Sequence, residues 1–352
     1  MTTQLALLLA QDGITNGAIY VLVALGIVLI FLVTRVIFIP FGDLVAIAAL
    51  TLAELEQGHR PGTLWLLAGL ALLAFAFEAV SLARARAARR IGRAALLYLA
   101  LPALPLVAAL AVAGRAAPDW LLVLLAIGLV LPMGPLLWRV AFRPIADSPV
   151  LALLIVAVVL HFAISGLALA IFGPEGMRPR LLLEGGISLA GLRVSAQSLL
   201  MISASAASSM FLWLFFERTV LGKALRATAV NRLGARLVGI RPSVSGALAF
   251  LLASLLAAVS GVLIGPINTL AYDSGFILGL KAFVGAIIGG SLASYPGAAL
   301  GAVFVGLLES FTAFWSSSLK EVVVFGLLVP VLVVRSLLTR RDDSDTEGED
   351  AL

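Results

Sequence analysis

Four charged side chains lie within or beside long apolar runs of this sequence, namely Asp43, Glu78, Lys281 and Glu309. A charge near the centre of a bilayer costs at least ~2.5 kcal/mol on insertion scales, so each one needs a physical reason. One interpretation is that Lys281 faces the interior of a helix bundle, pairs with an acid and shapes a path for a polar solute. The other is a purely structural ion pair, or a lysine that extends its ammonium group to the membrane surface.

Two glycines on the same apolar run as Lys281, Gly289 and Gly290, allow two further interpretations. Small residues let helices pack closely in a membrane. A glycine-rich run can also expose backbone carbonyl groups in a re-entrant segment that lines a cavity. The sequence does not separate these two interpretations.

The composition indicates which elements must position these groups. The 352-residue chain is 62% hydrophobic and 12% charged, whereas soluble proteins are about half apolar and about a quarter charged. It has no cysteine and two histidines, so disulfides and Cys-based metal sites are excluded and a His-based relay is not expected. The sequence contains no phosphate-binding loop and no hydrolase motif, so we expect neither an enzyme nor a bound cofactor or metal.

Long apolar runs predict an all-α, polytopic transmembrane helix bundle, since about 20 apolar residues are enough to cross a bilayer. The predicted spans are 13–33, 38–56, 62–82, 94–114, 119–138, 149–172, 195–216, 244–264, 276–290, 297–315 and 319–337. The run at 276–290 is short and rich in glycine, which is typical of a half-helix or re-entrant element. Residues 1–338 are therefore expected to form one transmembrane domain, with 339–352 as a disordered acidic tail.

The basic residues predict the orientation of the chain. Most of the 24 lysines and arginines fall in alternate loops between the predicted spans. Because cytoplasmic loops carry an excess of Lys and Arg, we expect the N-terminus outside and the C-terminus in the cytoplasm. This placement also explains the net charge of +5 without nucleic acid as a partner.

The segment 217–241 is too polar to span the membrane and falls on the predicted cytoplasmic side. Apolar residues recur in it every fourth position, at Leu225, Ala229, Leu233 and Leu237, which predicts one helix of about three turns. Gly239 suits the end of that helix. The helix could rest on anionic headgroups, or it could be a docking helix for a soluble partner.

Several motifs in this part of the chain occur together in one known family. The relevant residues are Arg226-Ala227, Asn231, Ala235 and Gly239-Ile240, followed by Gly279-Leu280-Lys281, Gly289-Gly290 and Tyr295-Pro296-Gly297-Ala298. Their order resembles that of branched-chain amino acid ABC transporter permeases. The resemblance covers about four-fifths of the chain. The family commonly has acidic or polar side chains at the positions of Val230 and Asn231, and this chain carries no charge there. Residues 84–118 also depart from the family, because they look like an inserted hairpin.

The resemblance implies a permease subunit of an importer in the bacterial inner membrane. An external binding protein would deliver a branched-chain or other hydrophobic amino acid, and two cytoplasmic ATP-binding subunits, which use the ATP, would drive a pair of related permeases. The implied ATPase-coupling residues are Gly222, Arg226, Ala227, Asn231, Ala235, Gly239 and Ile240. The implied translocation-pathway residues are Asp43, Lys281, Gly289, Gly290 and Glu309.

Other functions stay open from the sequence. Amides, urea or small carboxylates are alternative solutes. An ion-coupled secondary transporter would predict paired intramembrane acids and internal repeats, of which few acids and no convincing repeat are found. A membrane-embedded enzyme would need a cluster of polar residues within the spans.

Overall fold

The protein is a bundle of long apolar helices. The computed structural model describes residues 3–86, 88–115, 117–189, 192–290 and 294–334. Within these ranges, 8 helices are long and apolar enough to cross a membrane. They are Gln4–Thr34, Thr63–Arg84, Ile91–Val112, Asp119–Ile145, Val150–Phe172, Ala196–Arg218, Pro242–Ile264 and Tyr295–Trp315. The predicted polytopic helical bundle is therefore confirmed.

The individual elements follow one another along the chain with few strands. The helices are α1 (Thr3–Thr34), α2 (Phe41–Glu56), α3 (Thr63–Arg84), α4 (Ile91–Ala95), α5 (Leu101–Val112), α6 (Asp119–Val130), α7 (Met133–Leu137), α8 (Val150–Phe172), α9 (Ala196–Arg218), α10 (Val220–Val230), α11 (Arg232–Leu237), α12 (Pro242–Ile264), α13 (Ser274–Ile288), α14 (Tyr295–Trp315) and α15 (Lys320–Gly326). π-Helical turns at Leu96–Ala100 and Trp138–Phe142 continue α4 into α5 and α7 towards residue 145.

Helix α1 lies at the centre of the bundle, and it packs antiparallel along α14 through small residues. A Cβ on Gly17 would lie 2.9 Å from the Cα of Val303, and a Cβ on Gly306 would lie 2.4 Å from the backbone nitrogen of Gly17. Only glycine permits this approach of two backbones. Close packing of this kind holds membrane helices together where lipid removes the hydrophobic driving force between them.

Two short helices, α2 and α13, begin side by side inside the bundle. A Cβ on Gly42 would lie 1.8 Å from the carbonyl oxygen of Gly275, so the two first turns touch through their backbones. His161 marks the level of this contact, because its ring stacks on Phe276 at 4.6 Å. His161 is near the middle of α8, a helix of 23 residues, so both short helices begin near mid-membrane.

From this meeting point α2 and α13 run to opposite ends of the bundle. The last residue of α2, Glu56, accepts a hydrogen bond from the backbone nitrogen of Arg180 at 2.8 Å. The end of α13 packs on the start of α14, where a Cβ on Gly289 would lie 1.7 Å from the oxygen of Gly297. The predicted half-helix at 276–290 therefore corresponds to α13, whereas the span predicted at 38–56 begins inside the bundle.

A short antiparallel hairpin precedes α9 at the end of the bundle where α1 begins. Strand β1 (Gly186–Leu189) pairs with β2 (Leu192–Ser195), and the side chain of Gln11 lies 3.4 Å from the backbone oxygen of Arg193. Ser195 then caps α9, because its side chain accepts from the backbone nitrogen of Ser198.

Three predicted regions lie partly or wholly outside the described residues. The span expected at 319–337 contains α15 and a helical stretch at 328–334, the last described residue. The tail at 339–352 lies outside the described residues. The hairpin predicted at 84–118 contains one membrane-length helix, Ile91–Val112, which packs beside α3.

Candidate functional site

The segment between α9 and α12 folds as two helices, α10 and α11, which meet at Asn231. Asn231 has extended backbone angles, and its side-chain oxygen accepts from the backbone nitrogen of Gly234 at 2.9 Å. This is N-cap geometry, which Asn favours. The prediction of a single helix of about three turns is therefore wrong, because the cap at Asn231 starts a new helix about two turns before the expected end at Gly239.

The break also separates the apolar residues that the four-residue spacing placed on one face. Leu225 is 1% exposed, whereas Leu233 and Leu237 are 67% and 82% exposed. The predicted common face is wrong because the extended backbone of Asn231 interrupts the helix, so the four-residue spacing does not continue across it.

One side of α10 and α11 is fastened to the bundle. Arg232 donates to the backbone oxygen of Ala146 at 2.8 Å and also to that of Thr34. The hydroxyl groups of Thr228 and Ser245 lie 3.0 Å apart. Burial lowers the pKa of the Arg232 guanidinium from its ordinary value. These contacts tie the segment to the end of α1, to the loop before α8 and to α12.

The remaining coupling residues predicted from the sequence lie within the same two helices. Gly222 is buried, and a Cβ there would lie 2.1 Å from the oxygen of Phe215. Ala227 is partly buried, and Ala235 is 3% exposed. Gly239 has a φ of 85°, which suits the predicted helix end.

The chain returns to α12 through Ile240, whose backbone nitrogen donates to the oxygen of Ala235 at 2.9 Å. The side chain of Ile240 is partly buried. These two residues close the segment before α12 begins.

The other side of the segment is apolar and exposed. We call this surface the apolar patch, and it consists of Val220, Val230, Leu233, Leu237 and Val238, each at least 67% exposed. Neighbouring arginines are engaged by acids, since Arg226 lies 2.7 Å from Glu217 and Arg236 lies 3.3 Å from Asp147. An exposed apolar patch with a polar rim is typical of an interaction site.

A polar cluster lies inside the bundle, between α1, α13 and α14. Lys281 Nζ donates to Glu309 Oε1 at 2.7 Å, and the hydroxyl group of Tyr20 donates to the other oxygen of Glu309. Lys281 is 6% exposed and Glu309 is 7% exposed. A second acid, Glu321, lies 3.9 Å from the ammonium group. The expected acidic partner of Lys281 is therefore Glu309, while the role of Tyr20 was not predicted.

Glu309 lies at the wall of a polar cavity with a volume of about 670 Å³. The cavity is at the end of the bundle that carries the hairpin, because Ser195 and Gln197 line it. Its wall also has cations, Arg178 and Lys320. The amide oxygen of Gln197 is buried and has no hydrogen-bond partner in the described part. We call this cavity the vestibule.

Asp43 does not join Lys281. It is 0% exposed, and its Oδ2 lies 2.7 Å from His161 Nδ1. Its position in the first turn of α2 suits an acid, because the helix dipole is positive there. The contact gives His161 a hydrogen-bonded position inside the bundle. The pair connects α8 to the point where α2 and α13 meet.

The two glycines at the end of α13 lie apart from both polar clusters. Gly289 contacts the backbone of α14, and Gly290 has a φ of 121°, a conformation that favours glycine. Gly289 therefore supports the close-packing interpretation. Among the residues that the structure describes, no three His, Asp or Glu side chains converge to hold a metal ion.

Comparison with known proteins agrees with this arrangement. Residues 9–332 match the family described as branched-chain amino acid transport system / permease component. The chain is 35% identical over 204 residues to the high-affinity branched-chain amino acid transport system permease protein BraD of Pseudomonas aeruginosa, covering 56% of this chain and 66% of the relative. It is 31% identical over 203 residues to the corresponding LivH protein of Escherichia coli K12, with the same coverage.

LivH of Salmonella typhimurium is also 31% identical over 203 residues. These matches span just under two thirds of the relatives' own length, at 66%. No solved structure matches the chain. The family match covers most of the described residues, including both short helices, the α10–α11 segment and the buried Lys281–Glu309 pair. The chain therefore belongs to the family of branched-chain amino acid transport system permease components.

Proposed function

We propose that this chain is the transmembrane permease subunit of an ABC importer. The observation that carries the proposal is the α10–α11 segment, which is fastened to three parts of the bundle on one side and exposes the apolar patch on the other. A rigid element of this kind transmits the movement of a docked partner to the helices. The names of the relatives, which are permease components of amino acid transport systems, support it.

The apolar patch is the proposed docking surface for a cytoplasmic ATP-binding subunit. The alternative is a segment that rests on anionic headgroups, which would need cations free to face the lipid. Arg226 and Arg236 are instead paired with acids, and Arg232 points into the bundle. Arg218, Lys223 and Arg241 of the segment are also exposed, so the choice of a protein partner rests on the fastening of the segment to the bundle and on the exposed apolar patch rather than on charge.

The vestibule and the buried ion pair are the proposed start of the translocation path. Solute delivered by an external binding protein would enter the vestibule on the outer side and meet the buried Glu309 at its wall. Alternating access would then require helices α1, α13 and α14 to move around the Lys281–Glu309 contact. Membrane transporters commonly place solute sites where short helices begin near mid-membrane, as α2 and α13 do here.

The proposed solute is a branched-chain or other hydrophobic amino acid. The support is the transport function named for the relatives, together with acids and cations in one cavity wall. A zwitterion needs both signs of charge, whereas urea and simple amides need neither. The complete importer would contain a second permease, two ATP-binding subunits and the binding protein, in the bacterial inner membrane with the N-terminus outside.

Co-purification from the native membrane tests the docking proposal. The variant Val230→Asp/Leu237→Asp places charges on two side chains that are 80% and 82% exposed, so the fold should persist while the apolar patch is lost. Ile187→Asp, at a residue of the hairpin that is 55% exposed, is the matched control. We expect an ATP-binding subunit to be recovered with the native chain and the control, and lost with the double variant.

Equal recovery from all three chains would contradict docking at the apolar patch. Recovery of no ATP-binding subunit under mild detergent, combined with uptake driven by an ion gradient through the purified chain alone, would favour the secondary-transporter alternative.

A further inference from the structure

A second cavity, of about 610 Å³, lies at the end of the bundle that carries α10 and α11. It is formed by one side of the last turns of α3 and by the residues from 139 to 144. The chain continues directly to Ala146, whose oxygen accepts from Arg232. We call it the arginine cavity, and the transport proposal above does not use it.

The polar part of the arginine cavity is cationic. Arg84, Arg139 and Arg143 line it together with Ser81, and no acid lines it. Arg139 and Arg143 both donate to the same oxygen of Glu78, so three guanidinium groups are balanced by one carboxylate. Arg139 is 6% exposed and has its charge partner in Glu78, whereas Arg84 forms no salt bridge with another described residue. The surplus of positive charge indicates that an anion completes the site.

The apolar part of the cavity is placed where acyl chains lie. Phe77 and Val80, on the same side of α3 as Arg84, are 47% and 51% exposed. Helix α3 has 22 residues, and at 1.5 Å per residue it spans about 33 Å, close to the bilayer's hydrocarbon thickness. Arg84, in its last turn, is then at the headgroup level, and Phe77 is about 10 Å deeper.

We propose that the arginine cavity binds the headgroup of an anionic phospholipid. The phosphate meets Arg84 and Arg143 at the rim, with Arg139 behind them, and the acyl chains lie along Phe77 and Val80. Basic pockets between transmembrane helices on the cytoplasmic side recognise anionic headgroups by this combination of charge and apolar surface. A soluble phosphate would satisfy the arginines but would leave the apolar wall without a ligand.

The test measures lipid retention by the purified full chain. The chain is incubated with equal amounts of phosphatidylglycerol and phosphatidylcholine in mild detergent, and native mass spectrometry counts the molecules of each lipid retained. Arg84→Gln/Arg143→Gln should lower the ratio of phosphatidylglycerol to phosphatidylcholine, by about fivefold per arginine removed from an anionic surface. The control Arg89→Gln/Arg90→Gln removes the same charge from two exposed residues of the 3₁₀ turn after α3 and should leave most of the ratio unchanged.

A third variant should change phosphatidylglycerol retention in the opposite direction. Glu78→Gln removes the carboxylate that competes for Arg139 and Arg143, so retention of phosphatidylglycerol should rise if the site is formed as proposed. Equal loss in the cavity and loop variants would overturn the proposal in favour of general attraction to the surface. Displacement of the lipid by millimolar inorganic phosphate would overturn it in favour of a soluble anion. Size-exclusion profiles identify any variant whose fold is lost. If the arginine variant does not fold, the change in phosphatidylglycerol retention caused by Glu78→Gln decides the test.

Discussion

Replacing Lys281 by methionine should destabilise the protein because it leaves Glu309 buried without its cation. Both side chains are less than a tenth exposed, and their 2.7 Å contact is the shortest that Lys281 makes. Removing one partner of a buried pair costs about 3–5 kcal/mol. Tyr20 continues to donate a hydrogen bond to Glu309, and this bond offsets part of the cost of the buried carboxylate. We therefore expect Lys281→Met to lower the free energy of unfolding by about 3 kcal/mol.

A double variant separates the pair from its surroundings. Lys281→Met/Glu309→Gln removes both charges and keeps an oxygen that can accept from Tyr20. Because no uncompensated charge is left, the double variant should recover about 2 kcal/mol relative to Lys281→Met. Lys320→Met is the matched control, since it makes the same chemical change at the partly exposed vestibule wall, where about 0.5 kcal/mol or less is expected.

The assay is reversible unfolding of the purified chain in mixed micelles with increasing sodium dodecyl sulfate, followed by tryptophan fluorescence. The reasoning is refuted if Lys281→Met costs no more than Lys320→Met, or if the double variant is no more stable than Lys281→Met. Transport by the assembled importer then distinguishes the two interpretations of the pair. A double variant that is stable but inactive indicates a transport role, whereas one that is stable and active indicates a structural ion pair.

Three further outcomes follow from the packing and the caps. Gly42→Val should abolish recovery of folded protein in size-exclusion chromatography, because its side chain would overlap the backbone of α13, whereas Gly69→Val should be tolerated because a Cβ there meets nothing within 4 Å. Asn231→Ala should cost about 1 kcal/mol through the lost cap, and it should weaken ATPase retention in pull-down while the bundle remains folded. His161→Leu should cost about 1–3 kcal/mol in the mixed-micelle assay because it leaves Asp43 unpaired, and adding Asp43→Leu should recover most of that loss.

Helix type was predictable because each apolar run is a local property of the sequence, but helix number was not, since eleven spans were predicted and the described residues contain 8 helices of membrane length. About 20 apolar residues must form a helix in a bilayer, where every backbone group needs an internal partner. The short length and glycine content of 276–290 likewise indicated a half-helix. The start of α2 inside the bundle was not predicted, since it depends on the contact of Gly42 with Gly275, two residues far apart in the chain.

The polar partners were only partly predictable. The cost of a buried charge required a partner for Lys281, but the sequence did not say which acid it would be. Tyr20 was missed because it is 289 residues from Glu309, and no spacing rule connects residues at that separation. The contact between Asp43 and His161 was missed for the same reason, because these residues are 118 positions apart.

The coupling segment shows an error that a local signal could have prevented. The four-residue spacing of apolar side chains predicted one continuous helix. Asn231 is a strong N-cap residue, and its side chain starts α11. Giving the cap more weight than the periodicity would have predicted two helices, with the exposed side chains of Leu233 and Leu237 available for a partner.

Uptake of radiolabelled leucine into proteoliposomes tests the central claim most directly. The liposomes contain the importer assembled around this chain and are supplied with the binding protein outside and ATP inside. We predict uptake that requires ATP hydrolysis, persists without ion gradients and is lost with Val230→Asp/Leu237→Asp. Uptake by this chain alone, driven by a proton or sodium gradient and indifferent to ATP, would contradict the account.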